Sequence, residues 1–231
     1  MRILFVAADS MEFTGILHHT AEVRPQKTAV DWARSGRLNG NDVLLVANGI
    51  GRNRAAAAVD RALEHFRADA VVSTGFCGAL DENLGIAGLV AATEISTTDG
   101  SFPAAAPIRT ENCRRGPIAS VDHVVGTTEE KRRLRASGAV AVEMEAAGVA
   151  ARAQTCGLPF YCVRAISDLA GETLANDFNG ALRADGHFDT MFILGQALRH
   201  PSARVPELLR LRGRCVQAAR TLGEFFADCG F

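Results

Sequence analysis

Short apolar runs rich in Val, Ile and Ala recur along the chain, and segments with a helical spacing of apolar residues separate them. Several runs are apolar at consecutive positions, which is typical of strands buried on both faces of a sheet. Strands are predicted at Ile3–Ala8, Val43–Ala47, Ala70–Thr74, Leu89–Ala92, Pro117–Val121, Val140–Val142 and Phe160–Ile166. Helices are predicted at Met11–His19, Asn53–Phe66, Glu129–Ala136, Glu145–Cys156, Asp189–Leu198 and Pro206–Phe226. This alternation predicts an α/β fold, a three-layer α/β/α sandwich around a central mixed, largely parallel sheet.

Two segments, Asp99–Pro117 and Gly171–His187, lack any periodicity. We predict that each is a surface loop, either functional or poorly ordered. Since no internal repeat, low-complexity tract or linker interrupts the chain, we expect residues 1–231 to form one domain.

Composition and charge narrow the class of protein. Of the 231 residues, 48% are hydrophobic and 22% are charged, as in ordinary globular domains. The 25 basic and 26 acidic residues give a net charge of −1, which argues against a nucleic-acid partner. Apolar runs of about 18 residues are absent, so we expect no stable membrane insertion. The apolar run Met1–Ala8 is too short for a signal peptide, and a cytoplasmic protein is expected.

The cysteines give no metal or disulfide signature. None of them forms a Cys-x-x-Cys pair, and no Cys/His cluster has zinc spacing. We therefore expect buried or incidental thiols and no metal site. The six residues are Cys77, Cys113, Cys156, Cys162, Cys215 and Cys229.

Three carboxylates follow predicted strands: Glu12, Glu145 and Asp168. Ligands of such sheets bind where strands end and helices begin, so these side chains are candidates for one site. Each has a structural alternative. Glu12 could complete a capping box with Asp9, Glu145 or its neighbour Glu143 could be a first-turn carboxylate favoured by the helix dipole, and Asp168 could cap a turn with Ser167.

The turn Asn48–Arg54 also follows a strand and opens a helix. It contains a Gly-x-Gly pair, but Arg54 stands where a dinucleotide fingerprint needs Gly or Ala, so we reject an NAD site. Both a turn that faces an anion or a ribose and a simple strand-to-helix turn remain open.

Three motifs are more specific: Val71–Leu80, Val142–Ala150 with its Val-Glu-Met-Glu sequence, and Arg164–Asp168. Together they resemble the nucleoside phosphorylase superfamily, and within it the 5′-methylthioadenosine/S-adenosylhomocysteine nucleosidases. The resemblance covers about residues 1–170 in the same order. It implies an enzyme that cleaves the N-glycosidic bond of an adenine-type purine nucleoside, assembled as a homo-oligomer such as a homodimer. It implies neither a cofactor nor a metal.

The resemblance also implies roles for particular residues. Asp168 would face N7 and the exocyclic amine of the purine, and Glu12 would hold the attacking water. Glu145 would bind the ribose hydroxyls while Met144 packs against the sugar, near the turn that contains Ile50. The other substrate-binding candidates are Gly75, Phe76 and Ser167.

These residue types suit the chemistry. Cleavage of the bond builds positive charge on the sugar, which nearby carboxylates stabilise. A carboxyl that gives its proton to the purine makes the base a better leaving group.

The chain departs from these nucleosidases at three positions. Phe76 and Cys77 replace small residues, and Val124 replaces an aromatic residue that stacks on the base. These changes leave the 5′ substituent of the nucleoside open.

The C-terminal part departs further. The segments Asn179–Gly186 and Pro206–Leu211 resemble the hopanoid-associated phosphorylases, which cleave adenine from a lipid-linked adenosine. Six arginines and one acidic residue, Glu207, lie between positions 199 and 220. We favour a helix that packs on the core and exposes a basic face, over contact with an anionic membrane. The apolar stripe of this helix is predicted to be Val205, Leu208, Leu209, Val216 and Ala219.

The nucleophile is predicted to be water. Phosphorylases of the superfamily typically open with Gly-Asp-Pro-x-Arg, whereas this chain has Ala8-Asp9-Ser10-Met11-Glu12. Phosphorolysis stays as the alternative, with Arg52, Arg54 and Arg109 as the candidate anion site. A non-catalytic nucleoside-binding protein is the second alternative.

Overall fold

The computed structural model describes residues 1–108 and 113–231. Its strands are β1 (Arg2–Ala7), β2 (Ala21–Pro25), β3 (Trp32–Leu38), β4 (Asn41–Ala47), β5 (Ala70–Ala79), β6 (Leu89–Thr97), β7 (Gly100–Pro103), β8 (Cys113–Ser120), β9 (Ala141–Glu143) and β10 (Phe160–Asp168). Its α-helices are α1 (Thr14–His18), α2 (Arg52–Leu63), α3 (Thr128–Ala136), α4 (Ala146–Thr155), α5 (Phe178–Ala181), α6 (Thr190–Arg199) and α7 (Pro201–Asp228). A 3-10 turn at Ser10–Phe13 precedes α1.

The strands form one mixed sheet in the order β10-β6-β8-β9-β5-β1-β4-β3-β2. Strand β5 is long enough to pair with different strands at its two ends: its first half pairs with β1, and its last residues pair with β9. Because β5 also pairs with β10 along its length, the strands β5, β10, β6, β8 and β9 close into a ring. The predicted α/β fold around a central mixed sheet is confirmed, and the ring is the feature that the sequence did not indicate.

Helices cover both faces of the sheet. On one face the small buried residues of α2 and α4, such as Ala58 and Ala150, pack against β1 and β5. A side chain at Gly148 of α4 would place its Cβ 2.0 Å from the carbonyl oxygen of Arg52, so only glycine allows this close approach. On the other face, α1 and α7 pack together over β10.

The predicted strands and helices are all present, with shifted ends. The unpredicted elements are β2, β3, β7 and α5. Of the predicted loop Asp99–Pro117, residues 100–103 form β7 and Cys113 begins β8, while Arg109 lies outside the described residues. The predicted loop Gly171–His187 contains α5.

Helix α7 begins at Pro201 and continues through Pro206. It packs on the core as we favoured, with Leu222 and Phe226 buried in the cluster that contains residues of β1 and β10, and with Ala219 buried beside Gly15 of α1. The predicted apolar stripe was wrong at Val205, Leu209 and Val216, whose exposed fractions are 37%, 65% and 59%. The contact face lies mainly in the last three turns, where the helix meets α1. Within the described residues, none of the helices combines the length and hydropathy needed to cross a membrane.

Candidate active site

A cavity of about 450 Å³ opens at the carboxyl ends of β1, β5 and β10 and beside the loop after β9. This is the edge where an α/β sheet usually binds ligands. Seven of the eight candidate site residues line it: Glu12, Ile50, Phe76, Met144, Glu145, Ser167 and Asp168. The segments that contain them are distant in sequence, so the sheet alone brings them together.

Glu12 sits at the end of the 3-10 turn with its side chain buried. Its Oε2 accepts hydrogen bonds from the backbone N–H groups of Ala8 (2.8 Å) and Asp9 (3.1 Å), and its Oε1 accepts one from Phe76 N (2.6 Å). The capping box with Asp9 is therefore present, yet the same carboxyl also lines the cavity. Burial raises the pKa of Glu12, although Arg164 and the three backbone N–H groups oppose the shift.

Gly75, the eighth candidate, lies behind Glu12 and does not line the cavity. Its φ is +131°, a conformation that favours glycine. A Cβ at this position would lie 2.1 Å from Glu12 Oε1 and 2.9 Å from a guanidinium nitrogen of Arg164. Glycine is therefore what leaves room for the Glu12 carboxyl.

A fully buried arginine, Arg164 of β10, organises the acidic wall of the cavity. Its Nη2 donates to Glu143 Oε2 (2.5 Å) and to Ser73 Oγ (2.9 Å), and its Nη1 lies 3.4 Å from Glu145 Oε2. No role was predicted for Arg164 from the sequence. The signal was a charged residue inside an apolar strand, since an arginine there requires buried partners.

The two glutamates at the start of α4, Glu143 and Glu145, make different hydrogen bonds. Glu143 Oε2 accepts from the backbone N–H groups of Glu145 (2.9 Å) and Ala146 (2.7 Å), so Glu143 satisfies the first turn of the helix. Glu145 makes no capping bond, and its Oε1 instead accepts from Gly51 N (3.1 Å). The helix-start interpretation therefore applies to Glu143, and the Glu145 carboxyl is left at the cavity wall.

Glu12, Glu143 and Glu145 share one guanidinium, that of Arg164. Burial, with smaller contributions from the neighbouring Glu143 and Glu12, raises the pKa of Glu145 to about 8 against the attraction of Arg164. For both Glu12 and Glu145, burial outweighs the attraction of the single guanidinium, so ionisation is costly. Near neutral pH this wall therefore retains a proton.

The raised pKa of Glu145 predicts a pH dependence of stability. Between the ordinary value of 4.5 and about 8, the folded state binds a proton that the unfolded state releases, so folding loses stability as the pH rises. We expect Glu145→Gln to flatten the fall in unfolding free energy between pH 5 and 8, by up to about 1 kcal/mol per pH unit. Urea unfolding at several pH values measures this, and parallel curves for the variant and the parent would contradict it.

Asp168 ends β10, just past a register irregularity between Ile166 and Asp168 that turns its side chain toward the cavity edge. Its Oδ2 accepts from Lys131 Nζ at 2.5 Å, and the Ser167 hydroxyl lies 2.9 Å from its Oδ1. The turn-cap alternative is present only as this contact with Ser167. Lys131, for which the sequence predicted no role, is 1% exposed and also donates to Leu169 O (2.7 Å).

Most of the remaining wall is apolar and would suit the flat faces of a base and a sugar. The apolar lining includes Met11, Ile50, Phe76, Val124, Val125, Val142, Met144, Leu174 and Phe188.

His123 lies between Asp122 (2.8 Å) and Glu130 (2.6 Å), and hydrogen bonds to these carboxylates raise its pKa.

The candidate anion site is not assembled at the cavity. Arg54 is engaged elsewhere, donating from Nε to Asn48 O (2.6 Å) and from Nη2 to Asp31 (3.2 Å). Arg52 is exposed on α2, and Arg109 lies outside the described residues. None of the described residues that line the cavity is Arg or Lys. In the same part of the chain, 1–108 and 113–231, no cluster of three His, Cys, Asp or Glu side chains is arranged to hold a metal ion.

Comparison with known proteins gives a family match and similar curated proteins. The sequence model of the phosphorylase superfamily matches residues 2–113 and 104–186. A 5′-methylthioadenosine/S-adenosylhomocysteine nucleosidase from Staphylococcus haemolyticus is 28% identical over 76% of this chain and 85% of its own. The family match ends at residue 186, so the hopanoid-like character of the C-terminal part stays a prediction.

Two solved structures share the fold. A Streptococcus pneumoniae nucleosidase of the same kind, in complex with 8-aminoadenine, superposes with a TM-score of 0.73 at 21% identity, covering 98% of this chain and 99% of its own. A futalosine hydrolase mutant from Helicobacter pylori gives a TM-score of 0.72 at 18% identity, with 97% and 96% covered.

Proposed function

Since this chain belongs to the phosphorylase superfamily, we propose that it is an enzyme that hydrolyses the N-glycosidic bond of an adenine-type purine nucleoside. The observation that carries the proposal is the convergence of Glu12, Glu145 and Asp168 on one cavity whose described lining has no Arg or Lys. A nucleoside-binding protein without activity would need neither a buried water-binding carboxyl nor an acid beside the base. The nucleosidase relative supports the reaction class.

Asp168 acts on the base. A carboxyl at the cavity edge can accept a hydrogen bond from the exocyclic amine and donate a proton to N7 as the bond to the sugar breaks. Phe76 and Val124 line the same cavity and supply apolar surface for the ring faces. The base then leaves as a neutral purine, and the bonding electrons go with it.

Glu145 and Glu12 act on the sugar. Glu145 is positioned by Gly51 N and by Arg164, and its remaining acceptor capacity serves ribose hydroxyls. Glu12 has one carboxyl oxygen on Ala8 and Asp9 and the other on Phe76, so its orientation is fixed before a water arrives. Carboxylates at these positions stabilise the positive charge that develops on the sugar.

Phosphorolysis is disfavoured by charge. A phosphate dianion would meet a wall that carries Asp9, Glu12, Glu143 and Glu145, with no Arg or Lys among the described lining residues to bind it. Strongly charged anions bind where Arg, Lys or free backbone N–H groups surround them.

A substrate panel tests the reaction. The protein is incubated with adenosine, 5′-substituted adenosines, inosine and 2′-deoxyadenosine, with and without phosphate. We expect free ribose or its 5′-substituted form, and adenine, without phosphate. Ribose 1-phosphate formed only with phosphate would establish phosphorolysis, and no cleavage of any nucleoside would indicate a binding protein.

Glu145→Gln is expected to impair ribosides more than 2′-deoxyribosides. Ribose hydroxyls that donate to Glu145 favour its ionised form. Loss of such a charged hydrogen bond costs about 1.5–3 kcal/mol, and a deoxyriboside lacks one of the two hydroxyls that lose it. The expected result is a drop in kcat/KM of about 10–150-fold for adenosine and clearly less for 2′-deoxyadenosine. Glu129→Gln, at an exposed position of α3, is the control. Equal losses on both substrates would contradict ribose binding by Glu145.

We also propose that the protein works in the cytoplasm as a homodimer. The resemblance to the nucleosidases supports both the assembly and the location. Light scattering after size-exclusion chromatography measures the assembly, and a monomer at micromolar concentration would contradict it.

A further inference from the structure

Lys131 is one of two lysines in the chain and is among its largest fully buried side chains. It projects from α3, in which the neighbouring charged residues Arg132 and Arg133 are exposed. An ammonium group loses much of its hydration energy when it is buried, so such a lysine needs strong partners. Its partners are Asp168 Oδ2 and the carbonyl oxygen of Leu169.

The neighbouring acidic side chain, Glu172, has its own cationic partner and makes no ion pair with Lys131. Glu172, the next acid along the chain, is held by Arg214 through two hydrogen bonds of 2.6 and 2.9 Å. It also accepts from Leu169 N (3.0 Å). The Lys131 ammonium is therefore directed at a single carboxylate, that of Asp168.

We propose that Lys131 is a positioning residue that holds Asp168 and supplies the proton that Asp168 gives to the purine. This inference rests on the proposed nucleoside hydrolysis. The contact of 2.5 Å places a proton of Nζ within transfer distance of Oδ2, and the bond to Leu169 O keeps the amine in place. The hydrogen bond from Nζ to Oδ2 is a direct path along which Asp168 can receive a proton.

Each proton that leaves a residue in this reaction is replaced. One proton moves from Lys131 Nζ to Asp168, leaving a neutral amine and a carboxylic acid. Asp168 then gives its proton to N7 of the purine while the C1′–N9 bond breaks and its electron pair goes to the base. The attacking water forms the new C1′–O bond and loses a proton to Glu12. After product release, Glu12 returns its proton to solvent and Lys131 takes one up.

Lys131→Met tests this role with two substrates. The first is the purine nucleoside that the parent cleaves; the second is p-nitrophenyl β-D-riboside, whose nitrophenolate leaves without a proton. We expect kcat on the purine nucleoside to fall by about 10–10³-fold with KM changed by less than about threefold, because only proton delivery is lost. The rate on the nitrophenyl riboside should stay within about threefold of the parent.

The controls separate the possible failures. Arg133→Met, an exposed residue of the same helix, should leave both rates unchanged. If Lys131→Met does not fold, Lys131→Gln keeps an N–H donor for Asp168 without the charge and is measured instead. Similar losses on both substrates, or an unchanged kcat on the purine nucleoside, would overturn the proposal. If the parent does not cleave the nitrophenyl riboside, the nucleoside alone is used. A raised KM with an unchanged kcat for Lys131→Met on the nucleoside then overturns the proposal. A parent that cleaves no nucleoside would refute the proposed function itself.

Discussion

Asp168→Asn is expected to lower the turnover of a purine nucleoside by about 10²–10⁴-fold. The amide fills the same space and accepts hydrogen bonds, but it carries no acidic proton for N7 and forms no ion pair with Lys131. Binding of the nucleoside should fall much less, because the apolar walls and Glu145 remain in place. Steady-state kinetics with adenosine, together with a binding titration of the variant, measures both quantities.

The matched control is Asp42→Asn. Asp42 is an exposed residue of β4, at the opposite end of the sheet from the cavity. The Asp42→Asn variant should turn over substrate at the rate of the parent. If Asp168→Asn also retained near-normal turnover, Asp168 would not be the acid, and the whole assignment of the base-binding edge would have to be revised.

Glu12→Gln is expected to reduce hydrolysis to the background rate, a loss on the order of 10³-fold or more. The two oxygens of Glu12 accept three backbone N–H groups, so an amide in this place must direct its NH₂ group at a donor. The variant therefore loses both the base that activates the water and part of its own support. Because some of the loss is structural, the thermal unfolding of the variant has to be measured with its activity.

Two measurements separate these causes. Glu64→Gln, an exposed substitution at the end of α2, controls for the replacement of a carboxylate by an amide. Product analysis with and without phosphate identifies the nucleophile directly. Strict dependence of the parent on phosphate would exclude Glu12 as the water-binding base while leaving the fold and the role of Asp168 intact.

The sequence predicted the strands whose own residues are buried and missed the strands that depend on partners. Strand β1 is an unbroken apolar run, buried from Ile3 to Ala7, and its pattern is sufficient. Strand β2 is exposed at every residue and exists because β3 pairs with it. Strand β7 is a short hairpin partner of β6 without an apolar pattern. Pairing energy from a neighbour is invisible in local sequence.

The site shows the same division. Glu12, Glu145 and Asp168 were recognisable because each follows a predicted strand. Lys131 was not, because it lies in the highly charged segment Thr128–Ala136, whose pattern indicates a solvated helix. Only the packing of α3 against the end of β10 brings its amine to Asp168.

The ring of β5, β10, β6, β8 and β9 also determines how the protein should exchange amide hydrogens with deuterated solvent. A closed set of strands has no free edge, so none of the five can detach without breaking pairings on both of its sides. Four of the five, β5, β8, β9 and β10, carry cavity residues at their ends or just beyond. We therefore expect a bound nucleoside analogue to slow exchange throughout the ring, and not only in the strands it touches. The edge strand β2, which is outside the ring, should exchange at the same rate with and without the ligand.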